Sequence, residues 1–180
     1  MRLNLELDVG LHRGGLTDPT ALKPILETID ADPLLTFSGF MGYDPHLASV
    51  PDIMGWQGRS IKTSMDIYKA FVNAAAEHYG EDWKPDELTL NTAGSPTYQL
   101  HMETIHANEV AVGSALVKPT HFDVSTLADH VPASFITTPV VKTAERTDIP
   151  GLEALTGPTR LWDRNTAQTF FIYGGNWLAE

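Results

Sequence analysis

The chain opens with a regular alternation of apolar and polar residues. From position 3 to position 9 the odd positions are apolar and the even positions are polar: Leu3, Leu5, Leu7 and Val9 against Asn4, Glu6 and Asp8. A period of two predicts a β-strand with one buried and one polar face. The glycine-rich segment 10–15 that follows carries Arg13. It is typical either of a turn whose backbone approaches a ligand closely or of a surface hairpin with a solvated arginine.

A helix and a second strand are predicted next. Asp18 and Pro19 are residue types that start helices, and apolar residues then recur at helical spacing, at Leu22, Ile25, Leu26 and Ile29. The second strand is predicted at 34–40, and the turn after it holds Tyr43 and His46. A strand, a helix and a strand in succession imply parallel pairing, which collects the carboxyl ends of the strands at one edge of the sheet.

The same order of elements continues to residue 119. We expect a loop at 47–59, an amphipathic helix at 60–78, a strand at 86–93, a short helical segment at 98–105 and a strand at 108–112. Four strands connected in this way fit half of an eight-stranded barrel or most of a small doubly wound sheet. The polar face of the first strand favours the barrel, because the strands of a doubly wound sheet are apolar on both faces.

The composition changes after residue 119. We expect a linker with a helical turn near 125–130, a β-forming stretch at 133–143 and a strand at 168–173. The predicted fold class is α/β, namely the C-terminal half of a (β/α)8 TIM-type barrel at 1–119 followed by the beginning of a β-rich domain at 120–180. Because a strand begins at the first residues and a turn ends the chain, we expect a piece of a longer protein with two unpaired strand edges.

Charge and composition exclude several classes of function. With 23 acidic and 12 basic side chains the formal net charge is −11, which opposes binding to nucleic acid and to anionic membranes. There is no cysteine, so disulfides, thiolate metal sites and cysteine nucleophiles are excluded. No apolar run approaches the roughly 20 residues of a membrane span, and the first residues do not resemble a signal peptide. We therefore expect a cytoplasmic protein without membrane or nucleic-acid partners.

Two short turns at the ends of consecutive predicted strands suggest an anion site. Gly94-Ser95-Pro96-Thr97 follows the third predicted strand, and Gly113-Ser114 follows the fourth. Each turn by itself is typical of a plain loop. Together they offer hydroxyl and backbone N–H groups at the place where barrels commonly bind phosphate.

The spacing of histidine and serine residues argues against zinc and hydrolase chemistry. His101, Glu103 and His106 lack the spacing of a zinc-binding helix, in which two histidines lie four residues apart. No serine has the Gly-x-Ser-x-Gly context of a nucleophile elbow. His46 lies at a predicted strand end, where it can contact a ligand. Three other histidines are expected to face solvent, namely His78, His121 and His130.

Four segments taken together resemble a known family, and they cover 8–15, 42–46, 93–98 and 108–114. In order, over roughly residues 1–155, they are similar to the later part of the fold-type III pyridoxal-phosphate (PLP) enzymes. Within that class the resemblance is to the D-threonine aldolase and D-serine dehydratase group, distant relatives of alanine racemase. One such motif is weak, whereas four in register are fairly specific.

This resemblance implies roles for individual residues. Arg13 would lie near the phenolic oxygen of the cofactor or near the substrate, and Tyr43 would contact the pyridine ring or its nitrogen. The 5′-phosphate would be held by the two turns, through Gly94, Ser95, Thr97, Gly113 and Ser114. His46 would contact the substrate, a small D-amino acid.

The resemblance also implies what the chain lacks. The Schiff-base lysine of the family lies on a strand before the Asp-x-Gly motif, and none of the six lysines of this chain falls at the end of a predicted strand. The metal ligands of the family belong to a later segment. We therefore assign no metal site here, and we expect a divalent metal and a homodimer only in a full-length parent.

The predicted function is that of a fragment of a PLP-dependent lyase. The parent would act on a D-amino acid with a β-hydroxyl group, by retro-aldol cleavage or dehydration, and the fragment would be inactive alone because the lysine is absent. A racemase fragment is the alternative within the same cofactor class, because racemisation uses the same carbanion at Cα. A non-catalytic phosphate- or PLP-binding protein is the alternative from a different class.

Overall fold

The computed structural model describes residues 1–102, 106–145, 151 and 168–174. The chain divides into two compact units, Met1–Ser134 and Phe135–Glu180. The domain boundary that the sequence places at residue 119 stays a prediction.

A parallel sheet of four strands organises the first unit. Its strands, in spatial order, are β1 (Arg2–Leu7), β2 (Thr36–Gly42), β3 (Thr89–Thr92) and β4 (Glu109–Val110). Helix α1 (Leu22–Ala31) connects β1 to β2, and helix α2 (Trp56–Tyr79) connects β2 to β3. The predicted α/β fold with a parallel sheet is thus confirmed, whereas the half-barrel stays a prediction.

One face of the sheet packs against the two helices. Leu7 and Val9 are buried there with Leu22 and Leu26 of α1 and Phe71 of α2. The odd positions of the first strand therefore face the core, as their alternation predicts. Burying these side chains removes apolar surface from water, which is the main force that holds the helices to the sheet.

The opposite face of the sheet carries a row of mainly polar side chains. The strand register places Glu6 beside Met41, Met41 beside Asn91 and Asn91 beside Glu109. Nδ2 of Asn91 donates a hydrogen bond to Oε1 of Glu109 at 2.7 Å. Because successive side chains of a strand point to opposite faces, this row faces away from the helices.

Several predicted boundaries were wrong by a few residues. β1 ends at Leu7, and β2 begins at Thr36 because the N–H of Leu35 first closes a turn on the carbonyl of Asp32. β3 begins only at Thr89, since a 3-10 turn occupies Pro85–Glu87. The short helical segment expected at 98–105 is a 3-10 turn at Tyr98–His101, and its remainder at 103–105 lies outside the described residues.

Helix α2 begins earlier than the sequence predicts. Residues 47–59 were expected to form a loop, but the helix starts at Trp56, and a 3-10 turn occupies Pro45–Ser49. Gly55 has a φ of 72°, a left-handed conformation that lets the chain enter the helix abruptly. In the described part of the chain, no helix is both long and apolar enough to cross a membrane.

The second unit contains an antiparallel pair of strands. β5 (Val140–Ala144) pairs with β6 (Thr169–Ile172). The strand predicted at 168–173 is therefore confirmed, whereas in the stretch predicted at 133–143 the strand begins only at Val140. That these strands open a larger β-rich domain stays a prediction.

Candidate functional site

The turn after β1 is organised by the carboxylate of Asp8. Its Oδ1 accepts hydrogen bonds from the backbone N–H groups of Gly10 at 3.0 Å and His12 at 2.9 Å. Burial alone would raise the pKa of Asp8, but the hydrogen bonds from His12 and Gly10 outweigh it, and the pKa lies below its usual value. Two backbone hydrogen bonds connect the end of the turn to β1. The N–H of Asp8 donates to the carbonyl of Leu16, and the N–H of Leu16 donates to the carbonyl of Glu6. The turn is therefore held in one conformation.

This turn brings Arg13 against Tyr43. The guanidinium carbon of Arg13 lies 4.7 Å from the centroid of the Tyr43 ring. Nη2 of the same arginine donates to Oε1 of Glu6 at 2.9 Å. The ring attracts the cation and the carboxylate orients it. The exits of β1 and β2 are thereby joined through two residues that the sequence had singled out separately.

A buried hydrogen-bond network joins the exits of β2 and β3. Asp44 is fully buried, and its Oδ1 accepts from Oγ1 of Thr97 at 2.7 Å. Its Oδ2 lies 2.7 Å from Nε2 of His101. The N–H of Gly94 in turn donates to Oγ1 of Thr97 at 3.1 Å. The network therefore sets the turn that carries Ser95 relative to the turn that carries Tyr43.

Sequence reasoning missed Asp44 and His101. Asp44 was read only as part of a turn, and His101 was considered only as a metal ligand. No periodic signal marks them, because Thr97 precedes a 3-10 turn that ends at His101. Among the described residues no group of three or more metal-binding side chains converges, and Glu103 lies outside them.

A cavity of about 560 Å³ lies at the carboxyl ends of β3 and β4. Five of the residues predicted to bind the cofactor line it, namely Tyr43, Gly94, Ser95, Gly113 and Ser114. The two predicted turns meet there, because the N–H of Gly113 donates to Oγ of Ser95 at 3.0 Å. A Cβ atom on Gly94 would lie 2.4 Å from Cε2 of Tyr43, so only glycine allows the ring this position.

Three other predicted site residues lie elsewhere. Thr97 is fully buried within the Asp44 network and does not line the cavity, so its contact with phosphate stays a prediction. His46 lines a different cavity beside Gly10, and its contact with a substrate also stays a prediction. Arg13 reaches the cavity only through its contact with Tyr43.

The predictions for the three other histidines had mixed outcomes. His121 is exposed, as expected. His78 and His130 were wrongly expected to face solvent, since their side chains are only 15% and 19% exposed. Nε2 of His78 lies 2.9 Å from a carboxylate oxygen of Asp30, and Nε2 of His130 lies 2.9 Å from the hydroxyl of Tyr98. Both imidazole rings are kept largely away from solvent by hydrogen-bond partners that lie far away in the sequence.

The lining of the cavity combines polar and apolar groups and is nearly uncharged. Glu109 is the one charged side chain among its described residues, and it is engaged by Asn91. Oγ of Ser95 accepts a hydrogen bond, and no described group accepts its own hydrogen, so the hydroxyl can donate to a ligand. All six lysines lie among the described residues and none lines the cavity. The arrangement suits an anionic group held by neutral donors beside an aromatic ring.

Comparison with known proteins identifies similar folds. The family model of the alanine racemase N-terminal domain matches residues 1–120. No curated protein matches the chain by sequence. Among solved structures, the alanine racemase of Bacillus anthracis with bound L-Ala-P is 17% identical with a TM-score of 0.55, and the match covers 85% of this chain and 38% of that one.

Two further structures show the same likeness. The D-threonine aldolase of Filomicrobium marinum is 19% identical with a TM-score of 0.52, over 74% of this chain and 33% of that one. The alanine racemase of a D-cycloserine-producing Streptomyces lavendulae is 20% identical with a TM-score of 0.54, over 81% and 37%. At such identities the likeness shows the fold alone, a parallel α/β fold similar to the TIM-barrel domain of alanine racemase. The chain spans only 33 to 38% of the length of these three proteins.

Proposed function

Because this chain belongs to the alanine racemase N-terminal domain family, we propose that it binds pyridoxal 5′-phosphate in the cavity at the carboxyl ends of β3 and β4. The observation that carries the proposal is the hydrogen bond between Gly113 and Ser95, which joins the two predicted phosphate turns at one edge of the sheet. The resemblance of the four sequence segments to fold-type III PLP enzymes supports the choice of cofactor.

The residues of the cavity fit a phosphate group. The hydroxyl groups of Ser95 and Ser114 are neutral donors at its wall. A phosphate that accepts several such hydrogen bonds is held firmly without a basic residue in contact.

Tyr43 and Arg13 would act on the ring end of the cofactor. Tyr43 lines the cavity and would support the pyridine ring, while Gly94 leaves room for the tyrosine. Arg13 would place its positive charge near the phenolic oxygen, because Glu6 and Tyr43 already orient its guanidinium group. PLP, when bound, supplies a conjugated ring that withdraws electrons from the substrate Cα. The residues of this chain would bind the cofactor and orient it.

For the whole protein we propose a lyase that acts on a D-amino acid with a β-hydroxyl group, by retro-aldol cleavage or dehydration. The four motif segments support this reaction class. Racemisation is the alternative that the family match favours. None of the six lysines lines the cavity, and this observation favours a third alternative, a non-catalytic PLP-binding protein. For the same reason we propose that this chain by itself binds PLP without a covalent bond and does not turn over substrate.

The binding proposal is tested by titrating the purified chain with PLP and following the visible absorption of the cofactor. We expect saturable binding that inorganic phosphate weakens by competition, and no PLP attached to protein after borohydride reduction. Absence of saturable binding would contradict the proposed function. Covalent attachment would contradict the non-covalent mode and, by peptide mapping, identify the lysine.

The reaction class is tested by adding D-threonine, D-serine or D-alanine to the chain saturated with PLP. We expect no product from any of them. Release of glycine, release of pyruvate or formation of the L-enantiomer would each contradict the proposed inactivity and would indicate aldolase, dehydratase or racemase chemistry, respectively.

A further inference from the structure

A second cavity, of about 450 Å³, lies apart from the one assigned to PLP. It is bounded by Val9 and Gly10 after β1, by His46 and Val50 after β2, and by the first turns of helix α2. Its volume is within the range of small-molecule sites. No residue lines both cavities.

One face of helix α2 forms a wall of this cavity. The residues of the helix that line the cavity are one, three or four positions apart, as on one face of an α-helix. They are Trp56, Arg59, Ser60, Thr63 and Ser64. Nη1 of Arg59 donates to the carbonyl of Met54 at 2.8 Å, which orients the guanidinium group and leaves further N–H groups for a ligand. The helix is 24 residues long, and no side chain caps its first turn. Its positive end adds to the charge of Arg59.

Two buried polar atoms, each on a residue that lines this cavity, have no hydrogen-bond partner in the described part of the chain. They are Oγ of Ser64, a residue only 1% exposed, and Nδ1 of His46. Leaving such atoms unpaired destabilises a protein. Gly10 makes room for the histidine, because a Cβ on Gly10 would lie 3.1 Å from Nε2 of His46. Two unpaired polar groups beside one cavity point to a ligand that hydrogen-bonds there.

The charge and polarity of the walls select the ligand. No carboxylate side chain lines this cavity among the described residues, although the chain carries a net charge of −11, and Arg59 supplies a positive charge. Val9, Val50 and Trp56 add apolar surface. One cation with hydroxyl donors suits a single negative charge, and the apolar wall suits a short hydrocarbon group. We propose that this cavity binds a small aliphatic carboxylate, with Arg59 as its charge partner and Ser64 as a hydrogen-bond donor.

Equilibrium dialysis of the full chain against radiolabelled isobutyrate tests the proposal. We expect saturable binding that Arg59→Met weakens by about tenfold or more, since a charge-assisted hydrogen bond is lost. Lys62→Met is the matched control, because Lys62 lies on the same helix, is 74% exposed and does not line the cavity. The control is expected to bind isobutyrate as the unchanged chain does.

Ser64→Ala separates an effect on isobutyrate binding from an effect on folding. It removes a buried hydroxyl that has no protein partner, so the variant is expected to melt at the same or a higher temperature without ligand and to bind isobutyrate several-fold more weakly. Thr92→Val is its control, because Oγ1 of Thr92 is also buried and unpartnered but lies outside both cavities. This control is expected to leave isobutyrate binding unchanged.

Four results would overturn the proposal. The first is that isobutyrate shows no saturable binding, and the second is that Arg59→Met and Lys62→Met have equal effects. The third is that isopropylammonium binds as tightly as isobutyrate. The fourth is that inorganic phosphate displaces isobutyrate and that Ser95→Ala binds isobutyrate more weakly. The last result would assign the carboxylate to the cavity at β3 and β4. Failure of PLP binding leaves this proposal unaffected, because the two cavities share no residue.

Discussion

Nε2 of His101 lies 2.7 Å from Oδ2 of Asp44, and both side chains are completely buried. The two residues are 57 positions apart in the chain, one after β2 and the other after β3. Asp44 adjoins Tyr43, and His101 belongs to the 3-10 turn that follows the turn carrying Ser95. The pair therefore holds together the two strand exits that form the proposed PLP site.

Asp44→Ala removes the acceptor for both Thr97 and His101. Both groups lose their hydrogen bond to this buried carboxylate, and we expect the free energy of unfolding to fall by about 1–3 kcal/mol. Urea denaturation followed by circular dichroism measures the change. Asp123→Ala is the control, because the carboxylate of Asp123 is 85% exposed in its pair with Lys118. A loss for Asp44→Ala no larger than that of the control would contradict the structural role of the network.

Ser95→Ala removes the hydroxyl that connects the two predicted phosphate turns. We expect PLP to bind about tenfold more weakly, because a hydrogen bond to a charged group is lost. Spectroscopic titration with PLP measures the affinity. Ser125→Ala is the matched control, since Ser125 is exposed and does not line the cavity. Equal affinities in the two variants would show that the phosphate does not contact Ser95.

Gly94→Ala places a methyl group where Tyr43 now lies. The new Cβ would be 2.4 Å from Cε2 of Tyr43, so the ring must move, and we expect weaker PLP binding and a changed tyrosine environment in near-ultraviolet circular dichroism. Gly58→Ala is the control, because a Cβ there meets no atom within 4 Å. Gly58 lies in helix α2, so this control is expected to raise the free energy of unfolding by roughly 0.5–1 kcal/mol. Unchanged PLP affinity in Gly94→Ala would argue that Tyr43 does not support the cofactor.

The stability of the chain in acid is expected to depend on Asp8. Its pKa is lower in the folded protein than its usual value, because hydrogen bonds from His12 and Gly10 outweigh the opposing effect of burial. The carboxylate therefore stabilises the fold fully above the usual aspartate pKa of about 4, and this contribution is lost as the pH falls through the lower folded value.

Asp8→Asn tests this dependence. We expect the variant to be less stable than the unchanged chain at about pH 5, and the difference to shrink as the pH approaches about 2. Thermal melting over this range measures it, with Asp86→Asn, at an exposed position, as the control. A difference in stability that stays constant with pH would contradict the assignment of the lowered pKa to Asp8.

The positions of Tyr43, Ser95 and Gly113 at strand exits could be predicted from the sequence, whereas their contacts could not. Their roles in binding a cofactor stay a prediction that comes from the family resemblance. Asp44 and His101 were missed, since a buried polar pair leaves no periodic signal and its partners come from different strand exits. The start of α2 at Trp56 was missed for a similar reason, because the preceding Pro and Gly residues are typical of a loop.

The sequence by itself determined which faces are buried and in which order the elements come. The alternation from Leu3 to Val9 is enough to separate a core face from a polar face, because side chains of a strand alternate with a period of two. The order of the elements was enough, too, to place small and polar residues at the carboxyl ends of parallel strands.

Only the tertiary structure decided which of these residues meet. The register between neighbouring strands sets the partners of each side chain, and it shifts between Leu3 and Asn4, where β2 carries Ser38 as an extra residue. A shift by one residue changes every contact beyond it without altering the periodic pattern. The meeting of Arg13 with Tyr43, and of Ser95 with Gly113, therefore depends on packing across the sheet, which local sequence does not encode.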